Sequence, residues 1–388
     1  METKRFMTKT NISERADKQL AGVYPVAIDL GYSGVKIFSP NKVAIFPYFA
    51  KPYINKGTIG TLPDDFIIYT DLETKESWLI GNHAQTDIDI NESAESEESA
   101  FGRMRWYSSE CLPIARTALG IAIMSNKYAD IGNRKIVLQT GLPPAFSTDA
   151  PLVREVFAKR HHFAVQIGSK APIEYDFTIS PEDIYIMQQP MGTLYSAAIT
   201  TEHKFSASAK EYLSRNVVVF DSGFKTLDFF LIKNHNIKGS ETFTTLGMKQ
   251  VFQETVNAIY KKYGVKISVQ EMQKYLETGT VQKYDRKTFS TEEVPFGELL
   301  EEASDKVCNA AIDKLAQIYP LNELDYLIIT GGTGAAWERK IRETFKNMHN
   351  LKIVSGNQNE TNLPFTFANV RGYYMYLFSS LESKSKKG

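Results

Sequence analysis

The segment VAIDLGYSGVKIF, residues 26–38, recurs in altered form as VVVFDSGFKTLDFF, residues 217–230. Each is a β-rich apolar run that stops at Asp-x-Gly (Asp29-Leu30-Gly31 and Asp221-Ser222-Gly223), turns, and resumes as a second β-rich run. A chain of 388 residues exceeds one ordinary core, so the doubling points to two domains, or two halves facing a cleft, each carrying one hairpin. Glycine opens backbone conformations closed to other residues and lets main-chain N–H groups approach an anion, while an aspartate beside it can hold a hydrated divalent cation. Two such turns would grip a metal-bound polyphosphate from both sides.

Composition narrows the function classes. Lys+Arg and Asp+Glu both number 45, for a formal net charge of zero, so the chain has no electrostatic footprint for wrapping nucleic acid, and any link to DNA is expected to be indirect. Cys111 and Cys308 lie far apart and the six histidines show no ligand spacing, which fits a reduced, cytoplasmic protein without a metal cluster. No apolar stretch approaches the ~20 residues of a membrane helix, and the N-terminus is charged and polar. A soluble, cytoplasmic protein with no membrane contact is expected.

Along the chain, residues 1–22 are polar and read as a flexible extension. Residues 43–84 hold short β-like pieces, FIIYTDL and SWLIG, between turn residues, as in a small lobe. DIDINESAESEES, residues 87–99, reads as a solvated acidic loop. Apolar residues recur at helical intervals over 109–127, followed by the strand-like KIVLQTGLPP, a βαβ rhythm that points to an α/β sheet. His161 and His162 read as surface residues, because no cysteine, serine or carboxylate motif accompanies them. Helical patterns follow at about 248–262, 296–318 and 370–381, with a polar stretch up to 295, the strand LDYLIIT leading into GGTGAAW, and a basic Ser/Lys tail.

Three motifs carry the chemistry. In the first hairpin, Asp29 ends one strand and Lys36 lies in the strand that returns across Gly31, Tyr32, Ser33 and Gly34. An ammonium there would neutralise phosphate oxygens, while Asp29 would hold metal through water. In the second, Asp221 is the other metal-side carboxylate, and Ser222, Gly223, Phe224 and Lys225 supply backbone donors and a charge. Asp228, on the returning strand, is a supporting candidate that needs a partner if buried. The third is TGGTG, in which Gly331, Gly332, Thr333 and Gly334 would let a base or ribose lie against backbone. As a dinucleotide fingerprint it fails, since Trp337 stands where the third glycine belongs, and no G-x-x-x-x-G-K-[ST] loop exists in the chain.

The order DLGYSGVK, FDSGFKTLD, TGGTG resembles the phosphate 1, phosphate 2 and adenosine motifs of the actin, heat-shock-ATPase and sugar-kinase superfamily, over nearly the whole chain. Within it, the length, WLIGNHA, RWYSSECLPIARTAL and FANVRGYYMYL are most similar to bacterial plasmid-segregation actins of the ParM type. The resemblance implies an α/β, actin-like ATPase fold: two similar domains, each with a mixed sheet and helices, flanking a nucleotide cleft. Domain I would span 23–214 with a small lobe at about 46–112, completed by about 359–381; domain II would span 215–358 with a lobe at about 246–321, and 382–388 would be a tail. It implies Mg²⁺ and ATP as cofactors, with GTP open, and a Gln or Glu at a helix start that orients the attacking water. Gln189, followed by Leu194 and Tyr195, matches that spacing better than Gln188. It also implies head-to-tail filaments of the chain itself and a DNA-binding adaptor at a plasmid centromere site. The alternatives are a sugar-type kinase, which lacks a plausible acceptor-binding motif here, and a division or shape actin, for which neither terminus has a large apolar face. A heat-shock-type chaperone would need a C-terminal substrate domain for which the chain has no room, and a scaffold without turnover would not keep Asp29, Lys36, Asp221 and Gln189.

Overall fold

A computed structural model of the protein describes residues 3–55, 57, 60–86 and 103–386. The acidic stretch 87–99 lies outside the described residues. The chain divides into two compact units, one of residues 8–86, 103–206 and 367–386, the other of residues 3–7 and 207–366.

The main sheet of the first unit has the order β1-β4-β3-β2-β8-β11. Its strands are β1 (Asn11–Glu14), β2 (Val23–Leu30), β3 (Gly34–Phe38), β4 (Lys42–Pro47), β8 (Lys135–Leu142) and β11 (Ile184–Gln188). β2 is a near-continuous apolar run because it is covered on both faces. Tyr24, Val26, Ile28 and Leu30 join a core with Ile114, Ala118 and Leu119 of helix Cys111–Ile123. The two-residue period of a strand therefore sends Ala27 and Asp29 to the other face. There Phe38, the register partner of Ala27, meets Tyr374 of helix Ala368–Ser385 with ring centroids 5.1 Å apart. β1 pairs antiparallel with β4, so the segment expected to be a flexible extension instead adds an edge strand. Asp17, just beyond it, accepts hydrogen bonds from His203 (2.9 Å) and Tyr374 (3.0 Å).

The unit's second sheet runs β10-β9-β6-β7-β5, from β5 (Ala50–Pro52), β6 (Ile67–Asp71), β7 (Ser77–Ile80), β9 (Arg160–Ile167) and β10 (Ile173–Thr178). The lobe expected at 46–112 is thus completed by strands from 160–178, because β6 finds its second neighbour in β9. His161, expected at the surface, is buried in that sheet: it meets the Phe157 carbonyl oxygen at 2.9 Å and accepts from Arg116 at 3.4 Å.

In the second unit the sheet order is β14-β13-β12-β17-β18, with β12 (Val217–Ser222), β13 (Leu227–Lys233), β14 (Asn236–Phe243), β17 (Tyr326–Thr330) and β18 (Lys352–Ser355). β12 is buried along its whole length, antiparallel to β13 and parallel to β17. Helices Met248–Tyr263 and Gly297–Ile318 pack together, and helix Gly332–Thr344 lies against β12 and β17. The polar stretch before residue 295 contains helix Val269–Tyr275, started by a reciprocal cap between Ser268 and Glu271. It also contains a hairpin of β15 (Thr280–Asp285) and β16 (Ser290–Pro295). At the C-terminus, helix Ala368–Ser385 continues into the residues expected to form a tail. No helix among the described residues is long and apolar enough to cross a membrane.

Candidate functional site

In the first unit, β2 and β3 are joined by the short turn Gly31-Tyr32-Ser33 and register Asp29 opposite Lys36. Both are buried, at 3% and 9% exposure, and Lys36 Nζ lies 3.2 Å from Asp29 Oδ2. The other carboxylate oxygen, Oδ1, accepts a hydrogen bond of 3.1 Å from Gln189 Nε2. A side chain at position 31 would have its Cβ 2.5 Å from Lys36 Nζ and 2.8 Å from the Gly34 carbonyl oxygen. The absence of a side chain is what lets the ammonium come up against the turn.

Gln189 reaches Asp29 because β11 runs parallel to β8 in the same sheet and passes directly into helix Gln189–Ala198, with Pro190 just inside the start. The helix is held by a second one. A Cβ on Gly372 would fall well inside contact distance of the Gly192 carbonyl, so helix Ala368–Ser385 crosses it backbone against backbone. Thr193 donates to Asn369 at 2.7 Å. Buried Arg371 donates to the Ser196 and Ile199 carbonyls at 2.9 and 3.1 Å, satisfying orphan acceptors at the helix's C-terminal end. Arg371 and Gly372 were not legible as supporting residues, although both lie in FANVRGYYMYL.

The second unit repeats the hairpin with a third element pressed onto it. Asp221, 4% exposed, is the penultimate residue of β12 and faces Asp228 in register. Ser222 is still in the strand, and the turn covers Gly223, Phe224, Lys225 and Thr226 before β13. Gly331 has φ +84° and ψ 160°, and a Cβ there would collide with the Ser222 carbonyl and stand 2.9 Å from Asp221 Oδ1. The TGGTG turn therefore sits directly on the Asp221 strand end, and Thr333 Oγ1 donates to the Gly223 carbonyl at 2.6 Å. Gly332, Thr333 and Gly334 form the first turn of helix Gly332–Thr344, where N–H groups have no intrahelical acceptor. At Gly332 the nearest atom to a Cβ would be 3.9 Å away, so the space beside this turn is open. The Phe224 ring packs on Phe252, with centroids 5.8 Å apart, a core role beyond the backbone role expected of it.

Asp228 is more embedded than its sequence position suggested. It accepts from Thr226 (2.8 Å) and Thr242 (2.5 Å). Burial, then the neighbouring Asp221 charge, push its carboxyl up to about 7. Among the described residues no group of three or more His, Cys, Asp or Glu side chains forms a ready metal cluster. The donor set fits an ion held through water better than one ligated directly. The fit to a phosphate-bearing ligand is marked by the two cradles that a Cβ would fill, at Gly31 and Gly331.

Residues 27–192 match the family model for the N-terminal domain of actin-like proteins. Among solved structures, a non-polymerisable quadruple mutant of pCBH ParM aligns with a TM-score of 0.69 at 18% identity, over 92% of this chain and 99% of that one. A 15-stranded ParM filament from Clostridium botulinum aligns at 0.67 and 18%, over 92% and 99%. Ta0583, an archaeal actin homolog in complex with ADP, aligns at 0.61 and 16%, over 92% and 99%. No curated protein matches the sequence significantly.

Proposed function

We propose that the chain, which has the α/β fold of the ParM and Alp filament proteins and matches the actin-like N-terminal domain over residues 27–192, is an actin-like, ATP-hydrolysing filament protein that segregates plasmid DNA. The observation that carries the reading is the pairing of Asp29 with Lys36 and Gln189 around the Gly31 turn, repeated in plan by Asp221 and Gly331 in the other unit.

The actin-like fold generally binds and hydrolyses ATP, and one solved relative carries ADP. Asp29 and Asp221 would hold Mg²⁺ through water, and the ion would supply charge neutralisation at the phosphate oxygens. Lys36 and the N–H groups of Gly31, Tyr32, Ser33 and Gly34 would bind phosphate, as would those of Ser222, Gly223, Phe224 and Lys225. Gly331, Gly332, Thr333 and Gly334 would line the adenosine. Gln189 is too weak a base to take a proton; anchored through Nε2 to Asp29, it would direct Oε1 to a water and fix that water's line of attack.

Filament formation is supported by relatives solved as filaments. A head-to-tail interface that does not close gives such a polymer, and nucleotide state would bias it. A DNA-binding adaptor would link it to plasmid, consistent with the zero net charge. The test is right-angle light scattering of the purified chain with Mg-ATP, phosphate release being followed in the same sample, with Asp221→Ala as control. Scattering that needs ATP and vanishes in the variant is expected; phosphate release with no polymer contradicts the filament reading.

A further inference from the structure

Among the described residues, Arg105 is a buried charge with no carboxylate within ion-pair distance. It lies in the helical turn Arg103–Tyr107 of the first unit and is 2% exposed. Its guanidinium carbon sits 4.3 Å from the ring centroids of both Tyr32 and Trp106, and 5.7 Å from that of Tyr48. Its Nε and Nη1 find no hydrogen-bond acceptor among the described residues. An arginine keeps its charge at any working pH, and buried charges are ordinarily paired. Aromatic faces offset part of the cost, but they leave the N–H donors unfilled.

One of those rings belongs to the phosphate hairpin itself. Tyr32 is the middle residue of the Gly31-Tyr32-Ser33 turn, and the Tyr48 N–H reaches the Ser33 carbonyl at 3.5 Å. The carboxylate of the same hairpin, Asp29, is engaged by Lys36 and Gln189. The charge at Arg105 therefore stands one ring behind the backbone that would receive phosphate.

We propose that Arg105 is a positioning residue for the phosphate tail: it holds Tyr32, and so the turn, by stacking, and adds a second positive charge that a bound polyphosphate neutralises. The inference rests on the nucleotide reading above and adds a residue to it. In water-poor surroundings a unit charge about 10 Å from a phosphate changes affinity by about tenfold.

The experiment compares the wild-type chain with R105M and R105K by calorimetric titration of Mg-ATP, at protein concentrations below those that scatter light, and by thermal unfolding without nucleotide. R105M is expected to raise the Kd about tenfold while its nucleotide-free Tm stays at or above that of wild type, because a buried charge whose Nε and Nη1 find no acceptor among the described residues has been removed. R105K, which keeps the charge, recovers most of the affinity. A Kd for R105M equal to that of wild type overturns the inference and leaves the nucleotide reading standing; a wild-type chain that binds no Mg-ATP instead removes the reading on which it rests.

Discussion

Gln189 donates its side-chain N–H to Asp29 Oδ1 across 3.1 Å, while Lys36 takes the other carboxylate oxygen at 3.2 Å. A helix start is thereby tied to a strand end 160 residues earlier in the chain. One amide end of Gln189 is fixed by that bond, and the proposed function gives the other the task of orienting a water.

Gln189→Ala removes the amide proposed to orient water and leaves the residues of the Gly31-Tyr32-Ser33 turn in place. Phosphate release is expected to fall on the order of 10²-fold, with Mg-ATP affinity little changed, when release and calorimetric binding are measured on the same preparation. Equal loss of both would show that the residue serves binding. Gln189→Glu is expected to weaken nucleotide binding as well, because it sets a second carboxylate against Asp29.

Gly331 occupies backbone space that other residues avoid, and its Cα faces the Ser222 carbonyl. Gly331→Ala adds strain of about 1–3 kcal/mol and drives the TGGTG turn off Asp221. A lower Tm and loss of nucleotide-induced stabilisation are expected together in a thermal shift assay. Gly332→Ala, where the nearest atom would be 3.9 Å away, should keep the nucleotide-free Tm. Any affinity it loses then reports contact with ligand, and unchanged affinity would place the adenosine elsewhere.

The hairpins were legible because their information is local: an apolar run, an aspartate, a glycine turn and a returning run fix the register that sets Asp29 against Lys36 and Asp221 against Asp228. Gln189 was legible through the strand that feeds its helix. What escaped is long-range. β1 looks polar because an edge strand exposed along most of its length needs no apolar run. β9 completes a sheet begun by β5, far earlier in the chain, and lies between β6 and β10. Arg105 and Arg371 are charges that pattern reading assigns to the surface. Their burial depends on rings and carbonyls brought in by other elements.

Buried His161 gives the fold an acid-side weakness. Burial, reinforced by the Arg116 charge, lowers its pKa from 6.5 to about 4, so the folded state holds it neutral where the unfolded chain protonates it. Its contribution is fully present above about pH 6.5 and is lost as pH falls toward about 4, by at most about 3 kcal/mol. Chemical denaturation of wild type and His161→Gln from pH 7.5 to 4.5 should show a smaller acid loss in the variant. Parallel curves would mean that His161 does not couple to folding.

The proposed function requires both Asp29 and Asp221 for Mg-ATP binding. Calorimetric titration of Mg-ATP into the wild-type chain, Asp29→Ala and Asp221→Ala measures this directly. One site per chain and loss of binding in either variant are expected. Two sites per chain, or tight binding that survives loss of one aspartate, would contradict it.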